Sequence, residues 1–186
     1  MTRIDMLISE QQNLKDADGD HVWEARWYKI MLSDGTELGF GQQVNGKLSC
    51  GPCPAGQGMA FRYIRSQSDL TADNHGWPAG EVGYLRGLGM GTDGREYRKH
   101  LSLSDGAPPA LLWYDTANSY GFSGEPLPGN KIALYAHDQY SRKVGLRGHV
   151  IHEEAGFYGQ RSDFPICLDC SFVRIPVGDE HIGPFF

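Results

Sequence analysis

The stretch HVWEARWYKIMLSDGTELGFG, residues 21–41, decides the fold. Trp23, Ala25, Trp27 and Met31 alternate with Glu24 and Arg26, the period of two expected of a strand with one apolar face. Asp34-Gly35 follows and then a second extended run, and an Asp-Gly pair between two such runs signals a hairpin, because both residues tolerate the positive φ of a tight turn. The same grammar recurs along the chain. Asp18-Gly19, Asn45-Gly46, Asp93-Gly94 and Asp105-Gly106 are further turn pairs, and MAFRYIR, ALLWYD, KIALYA and CSFVRIPV are further aromatic and β-branched runs. No segment keeps a helical period over twelve residues. Short helices fit only around 3–14 and 55–66, where MAFRYIR competes as a strand. The expected fold is all-β, a barrel or sandwich of short antiparallel strands with long Gly-rich loops.

The 186 residues suit a single all-β domain spanning 1–186, with 1–66 and 84–186 as the two parts if it divides. The dividing point would be SQSDLTADNHGWPAGEVG, residues 66–83, which is polar and rich in turn formers. SYGFSGEPLPGN, residues 119–130, is a second long loop, and no internal repeat is visible. Apolar residues at 40% and charged ones at 22% describe a globular chain, and no apolar run is long enough to span a membrane. MTRIDMLISEQQN has neither the basic leader nor the apolar centre of a secretory signal, so a cytoplasmic protein is expected. The net charge of −6 argues against coating duplex DNA by bulk attraction, though a basic groove can sit on an acidic body.

Four cysteines form two C-x-x-C pairs, Cys50/Cys53 and Cys167/Cys170. Cys50-Gly-Pro-Cys53 lacks the strand before it and the helix after it that lower a thiol pKa in redox proteins. Two pairs can close a tetrahedral thiolate site, so one structural zinc held by Cys50, Cys53, Cys167 and Cys170 is one expectation. Four buried structural thiols, or disulfides, are the others. In GHVIHEEAGF, His149 and His152 would share a helix face but diverge on the strand that GHVI resembles. DADGD, residues 16–20, has the carboxylates of a calcium loop without its glycine or its twelfth-position Glu, and reads as a turn. LGMGT and YDTANSYG, residues 88–92 and 114–121, are similar to the opening of aldo-keto reductases, with Asp115 and Tyr120 as the matching residues. That family's barrel needs about 250 residues, so the match is set aside. No nucleophile elbow, phosphate loop or open metal site is present, and a non-enzymatic protein is expected.

Cations interleave with aromatics in WEARWYK, FRYIR, REYRKH and YSRKVGLRGH. Rings for stacking between cations for phosphates suit single-stranded nucleic acid, and Arg26, Trp27, Arg62, Tyr63, Arg65, Tyr97, Arg98, Lys99 and Arg142 are the expected contacts. RWYKIMLSDGTELGFG and PAGQGMAFRYI, within residues 22–65, resemble strands of an OB-fold single-stranded nucleic-acid-binding protein. The resemblance implies an OB-like barrel over 1–66. The terminal GDEHIGPFF is similar to the acidic Pro-Phe tail by which bacterial single-strand-binding proteins recruit protein partners, although it is shorter and less acidic. Two other functions fit the composition. A β-sandwich binding carbohydrate or another small ligand would use Trp77, Trp113, Tyr114, Tyr120 and Phe122, and a phage-type structural or interaction protein would need no chemistry at all.

Overall fold

A computed structural model describes residues 12–44, 47–66, 75–90, 96–105, 111–114, 120–151, 154–160, 167–176 and 183–184. Its strands are β1 (Trp27–Leu32), β2 (Glu37–Val44), β3 (Lys47–Cys53), β4 (Ala60–Ile64), β5 (Tyr84–Met90), β6 (Glu96–Leu103), β7 (Leu111–Tyr114), β8 (Phe122–Leu127), β9 (Lys131–His137), β10 (Lys143–Ile151), β11 (Glu154–Gln160), β12 (Leu168–Arg174) and β13 (Gly183–Pro184). There is no helix among the described residues, as an all-β reading requires. Of the two segments open to a helix, the second is strand at Ala60–Ile64, and residues 3–11 lie outside the described set.

The strands pair in a ring. β1 joins β4, β4 joins β5, β8 joins β9, β9 joins β12, and β12 returns to β1. The remaining gap, from β5 to β8, is bridged at Gly83 and Phe122, which exchange hydrogen bonds of 2.8 and 2.7 Å. Hairpins β2–β3, β6–β7 and β10–β11 branch from this ring, one from each group of four successive strands. The chain is thus a threefold structural repeat with no counterpart in its residue identities. Period-two patterning specifies a strand face and not its partners, so equivalent strands need share no residues. Residues 22–65, expected to form part of an OB barrel, instead supply two strands of this ring and one of its hairpins.

Two of the Asx-Gly pairs, Asp18-Gly19 before β1 and Asp34-Gly35 between β1 and β2, lie in described turns. Gly19 and Gly35 have φ of +87° and +85°, which a side chain would strain. The Asp34 carboxylate accepts hydrogen bonds from the Thr36 amide and hydroxyl and so fixes the β1–β2 turn. DADGD is likewise a closed turn: Asp16 is fully buried, and its Oδ1 accepts the amides of Asp18 and Asp20. Its Oδ2 accepts from Arg174 at 2.9 Å, which also donates to Asp20 at 2.7 Å. Asp20 in turn accepts from the Trp23 indole, so these carboxylate oxygens all have partners within the chain.

Inside the ring, Tyr28, Ile30, Phe61, Tyr63, Leu85, Phe122, Ile132, Leu134 and Phe172 are buried. The buried face of β1 is the one expected to face out. Tyr28, Ile30 and Leu32 are inside, whereas Trp27, Lys29 and Met31 are half-buried. Both parities of this strand are apolar, so alternation alone leaves the face open, and the two indoles misdirect the choice. One end of the ring is filled by Trp77, stacked on Tyr63 at 4.8 Å and meeting the edge of Phe172 at 6.0 Å. Trp77→Ala should cost about 3–5 kcal/mol in chemical denaturation, with Trp77→Phe intermediate.

The zinc expectation fails on strand geometry. All four cysteines are free, and no group of metal-binding side chains assembles among the described residues. Cys50 and Cys53 are three apart on one strand and so point to opposite faces. Between β3 and the β12 residue Cys170 stand β1 and β2, about 14 Å of sheet, whereas sulfurs on one zinc lie about 4 Å apart. Burial raises the pKa of Cys50 well above the usual thiol value, and burial does the same at Cys170, so neither is a ready thiolate. A chelator should leave the melting temperature unchanged. Cys50 and Cys170 should react with a thiol reagent only after unfolding.

His137 closes β9 and is buried. Its Nε2 lies 2.8 Å from Ser123 Oγ and its Nδ1 3.1 Å from the Ser141 carbonyl, so the ring donates to Ser141 and accepts from Ser123. Burial holds its pKa below the ordinary 6.5, and burial and the nearby Arg86 do the same to His100. Both groups bind protons more readily unfolded than folded. Their stabilisation is therefore complete above about pH 6.5 and is lost as pH falls below it, by at most about 1.4 kcal/mol per pH unit for each group. His137→Gln should flatten that slope in denaturant melts between pH 7.5 and 5.

Candidate functional site

The connection from β4 to β5 starts and ends on a fixed base. After Ile64 come Arg65 and Ser66, and the described chain resumes at His75. Residues 75–79 then lie against the arm that precedes β1. Leu14 N donates to Trp77 O at 2.8 Å, Trp77 N to Val22 O at 2.9 Å, and Ala79 N to Gln12 O at 2.8 Å. The Trp77 indole donates to Glu81 O at 3.0 Å, locking the turn into β5.

Glu24 holds both ends of this connection. Its amide donates to His75 O at 3.0 Å, its Oε1 accepts the Arg65 amide, and its carbonyl accepts Arg62 Nε. The residue is 5% exposed. Two sites of one residue therefore grip the points where residues 66–74 leave and rejoin the body. Glu37 plays a similar part at the β3–β4 connection, accepting the amides of Gly56 at 3.0 Å and Gly58 at 2.8 Å. Burial raises its pKa, but those amides and Lys29 outweigh the penalty and hold its carboxyl below the usual range.

A second feature crosses the sheet. Trp27 stands opposite Arg62, Arg62 opposite Arg86, Arg86 opposite His100, and His100 opposite Tyr114. Directly opposed residues of antiparallel strands share a face. These five therefore form one row over β1, β4, β5, β6 and β7, with Arg62 over the Trp27 ring at 5.8 Å.

Only part of the expected nucleic-acid surface comes together. Trp27 and Arg62 are neighbours in this row, and Arg26 pairs with Asp20 at 3.5 Å. Tyr63 is 1% exposed and spends its ring on Trp77, Lys99 is buried, and Arg65 is exposed at the base of the connection. Arg142 stands apart on the β9–β10 turn, bonded to Asp138 at 2.8 Å and over the exposed Tyr140 ring at 4.9 Å. Tyr97 and Arg98 lie on β6, but their side chains are outside the described set. Of the candidate sugar-stacking rings, Trp77 and Phe122 are fully buried, Tyr114 is in the row, and the Tyr120 hydroxyl donates to Asp105 at 2.9 Å. Trp113 lies on β7 with its side chain undescribed, and Asp115 and His152 are outside the described residues. From the tail, Gly183–Pro184 pairs in parallel with Gly89–Met90, and the rest lies outside the described residues. The residues missed from sequence are Glu24, Arg86 and His100. Arg86 and His100 sit in separate runs that only strand register unites.

No protein-family profile and no curated protein matches this chain. Solved structures do. A water-soluble chlorophyll protein from Brassica oleracea var. Botrytis with chlorophyll-b shares 15% identity over 88% of this chain and 99% of its own, with a TM-score of 0.65. Soybean trypsin inhibitor in complex with porcine pancreatic trypsin matches at 12% identity, 88% and 99% coverage, and a TM-score of 0.66. Trypsin inhibitor 1 from Senna obtusifolia matches at 12% identity, 90% and 92% coverage, and a TM-score of 0.62. These likenesses overturn the OB-fold resemblance and remove the support it lent to nucleic-acid binding, and they agree with the failure of the zinc expectation among the described residues. The threefold ring with its three hairpins is the β-trefoil-like fold of the Kunitz-type inhibitor and chlorophyll protein structures.

Proposed function

We propose that this chain is a non-enzymatic binding module that engages a protein partner through the segment joining β4 to β5. The grip of Glu24 on both ends of that segment carries the reading. A loop whose ends are already fixed loses less conformational entropy on binding, and that saving appears as affinity. Loop length supports the same choice. The β4–β5 connection runs from 65 to 83, whereas β8–β9, at the equivalent place in the next repeat, needs only 128–130. Joining the strands does not require the extra residues. Among similar folds, soybean trypsin inhibitor is seen bound to a protease, so serine proteases are the first partners to try.

The test is titration of trypsin, chymotrypsin, elastase and subtilisin with the intact protein, reading residual activity and cleavage of the protein itself. Stoichiometric inhibition of one enzyme is expected, with the segment resisting cleavage. Glu24→Ala should weaken inhibition by about tenfold or more by freeing both ends. Absence of inhibition by the intact protein would overturn the protease assignment. Binding that survives replacement of residues 67–74 by a Gly-Ser linker would overturn the role of the segment.

A further inference from the structure

We infer that the β9–β10 turn, with Tyr140 at its tip, is a second contact on the protein partner proposed above, entering an apolar pocket outside the cleft that takes the β4–β5 segment. The inference rests on that reading of the segment. Among the described residues, Val82 and Tyr140 are the exposed large hydrophobics, at 39% and 66%. Val82 belongs to the β4–β5 connection itself. A side chain at Gly121 would collide with Val82 Cγ1 and come within 3.3 Å of the Tyr84 ring, so Gly121 is packed against both. The Gly121 carbonyl accepts the His137 amide at 2.9 Å, at the start of the turn. The connection and the turn are therefore joined through one glycine.

Tyr140 stands on a rigid mount. The buried Asp138 carboxylate accepts the amides of Tyr140 at 2.9 Å and Arg142 at 3.1 Å through one oxygen. Its other oxygen accepts the Arg142 guanidinium, at 2.9 Å from Nε and 2.8 Å from Nη2. Backbone bonds close the turn in both directions, from Asp138 N to Arg142 O at 3.1 Å and from Ser141 N to Asp138 O at 2.9 Å. His137, also buried, donates to the Ser141 carbonyl at 3.1 Å. Arg142, so fixed, lies over the Tyr140 ring at 4.9 Å. A buried carboxylate is costly unless its oxygens are paired, and here all of that pairing holds one exposed ring in place. A side chain fixed before binding loses little freedom on binding, and tyrosine and arginine are the residues that dominate protein interfaces.

The backbone decides how the turn is used. Ser141 has a φ of +57°, whereas a peptide that joins a cleft as an added strand is extended. The turn is therefore a knob and not a second substrate-like segment. Its ring fits a pocket with apolar walls. Arg142 gives Nε and Nη2 to Asp138 and keeps Nη1 for an oxygen at the pocket's rim, its side chain being 56% exposed.

The experiment measures inhibition constants and dissociation rates of the intact protein with trypsin, chymotrypsin, elastase and subtilisin, and the melting temperature of each variant. Tyr140→Ala should weaken inhibition of the enzyme that the unaltered protein inhibits by about tenfold or more, chiefly through faster dissociation, with the melting temperature unchanged. Tyr140→Phe keeps the ring and should retain most of the affinity, and Val82→Ser should lose a smaller part of it. Equal inhibition by the unaltered protein and Tyr140→Ala would overturn the second contact and leave the segment's role intact. Loss of binding in Tyr140→Ala, beside full binding by the variant with a Gly-Ser linker at 67–74, would uphold the turn and overturn the segment. Failure of the unaltered protein to bind any of these enzymes would overturn both.

Discussion

The pairing of β1 with β12 is the constraint on which the rest of the molecule depends. Tyr28 to Leu32 run antiparallel to Arg174 to Cys170, joining the first ring strand to the last. Without this ladder β1 and β12 would both be edges, and the aromatic core between them would open to water. Arg174 stands at the end of the ladder and bonds Asp16, 158 residues away in sequence, so the arm before β1 is fastened where the ring closes. The arm then holds Trp77, and through Glu24 it holds both ends of the β4–β5 connection. Contacts this distant in sequence are slow to form because loop closure precedes any gain from packing. Once formed, they hold the two described ends of the β4–β5 connection through hydrogen bonds.

Fold class was legible because its signals are local. Asp34-Gly35 marks a turn whether or not the strands beside it have found partners, and the run ending in Trp27–Leu32 reads as extended from its own side chains. The threefold order was not legible. β1, β5 and β9 are equivalent by pairing, yet WYKIML, YLRGLGM and KIALYAH have no evident pattern in common. The buried face of β1 was misread for a related reason. Trp27 and Met31 compete with Tyr28, Ile30 and Leu32, and the decision rests with β4 and β12, neither of which is near in sequence.

Motif reading failed most clearly at the cysteines. C-x-x-C suggests convergence because in a tight loop the two sulfurs turn to one side, but Lys47–Cys53 is extended and separates them. The cation and aromatic residues of one string need not share a surface. FRYIR sends Tyr63 into the core and leaves Arg62 outside, so one short string contributes to two different places. Arg86 belongs to no such string and His100 only ends REYRKH, and their alignment with Arg62 exists only through the registers of β4, β5 and β6.

A fold of this kind separates the work of standing up from the work of binding. The frame is closed by backbone ladders and by the buried aromatics. Two repeats could have been joined with equal economy, yet the chain uses 65–83 at one junction and 128–130 at the other. The longer one contains the tryptophan that fills the end of the ring, so part of its length is structural. That part ends at His75, where Glu24 takes hold again. In sequence, residues 66 to 74 fall between the two points that this buried glutamate holds. The closed frame of β1, β4, β5, β8, β9 and β12 therefore holds together through its own ladders and aromatics, whatever the length of the connections between its strands.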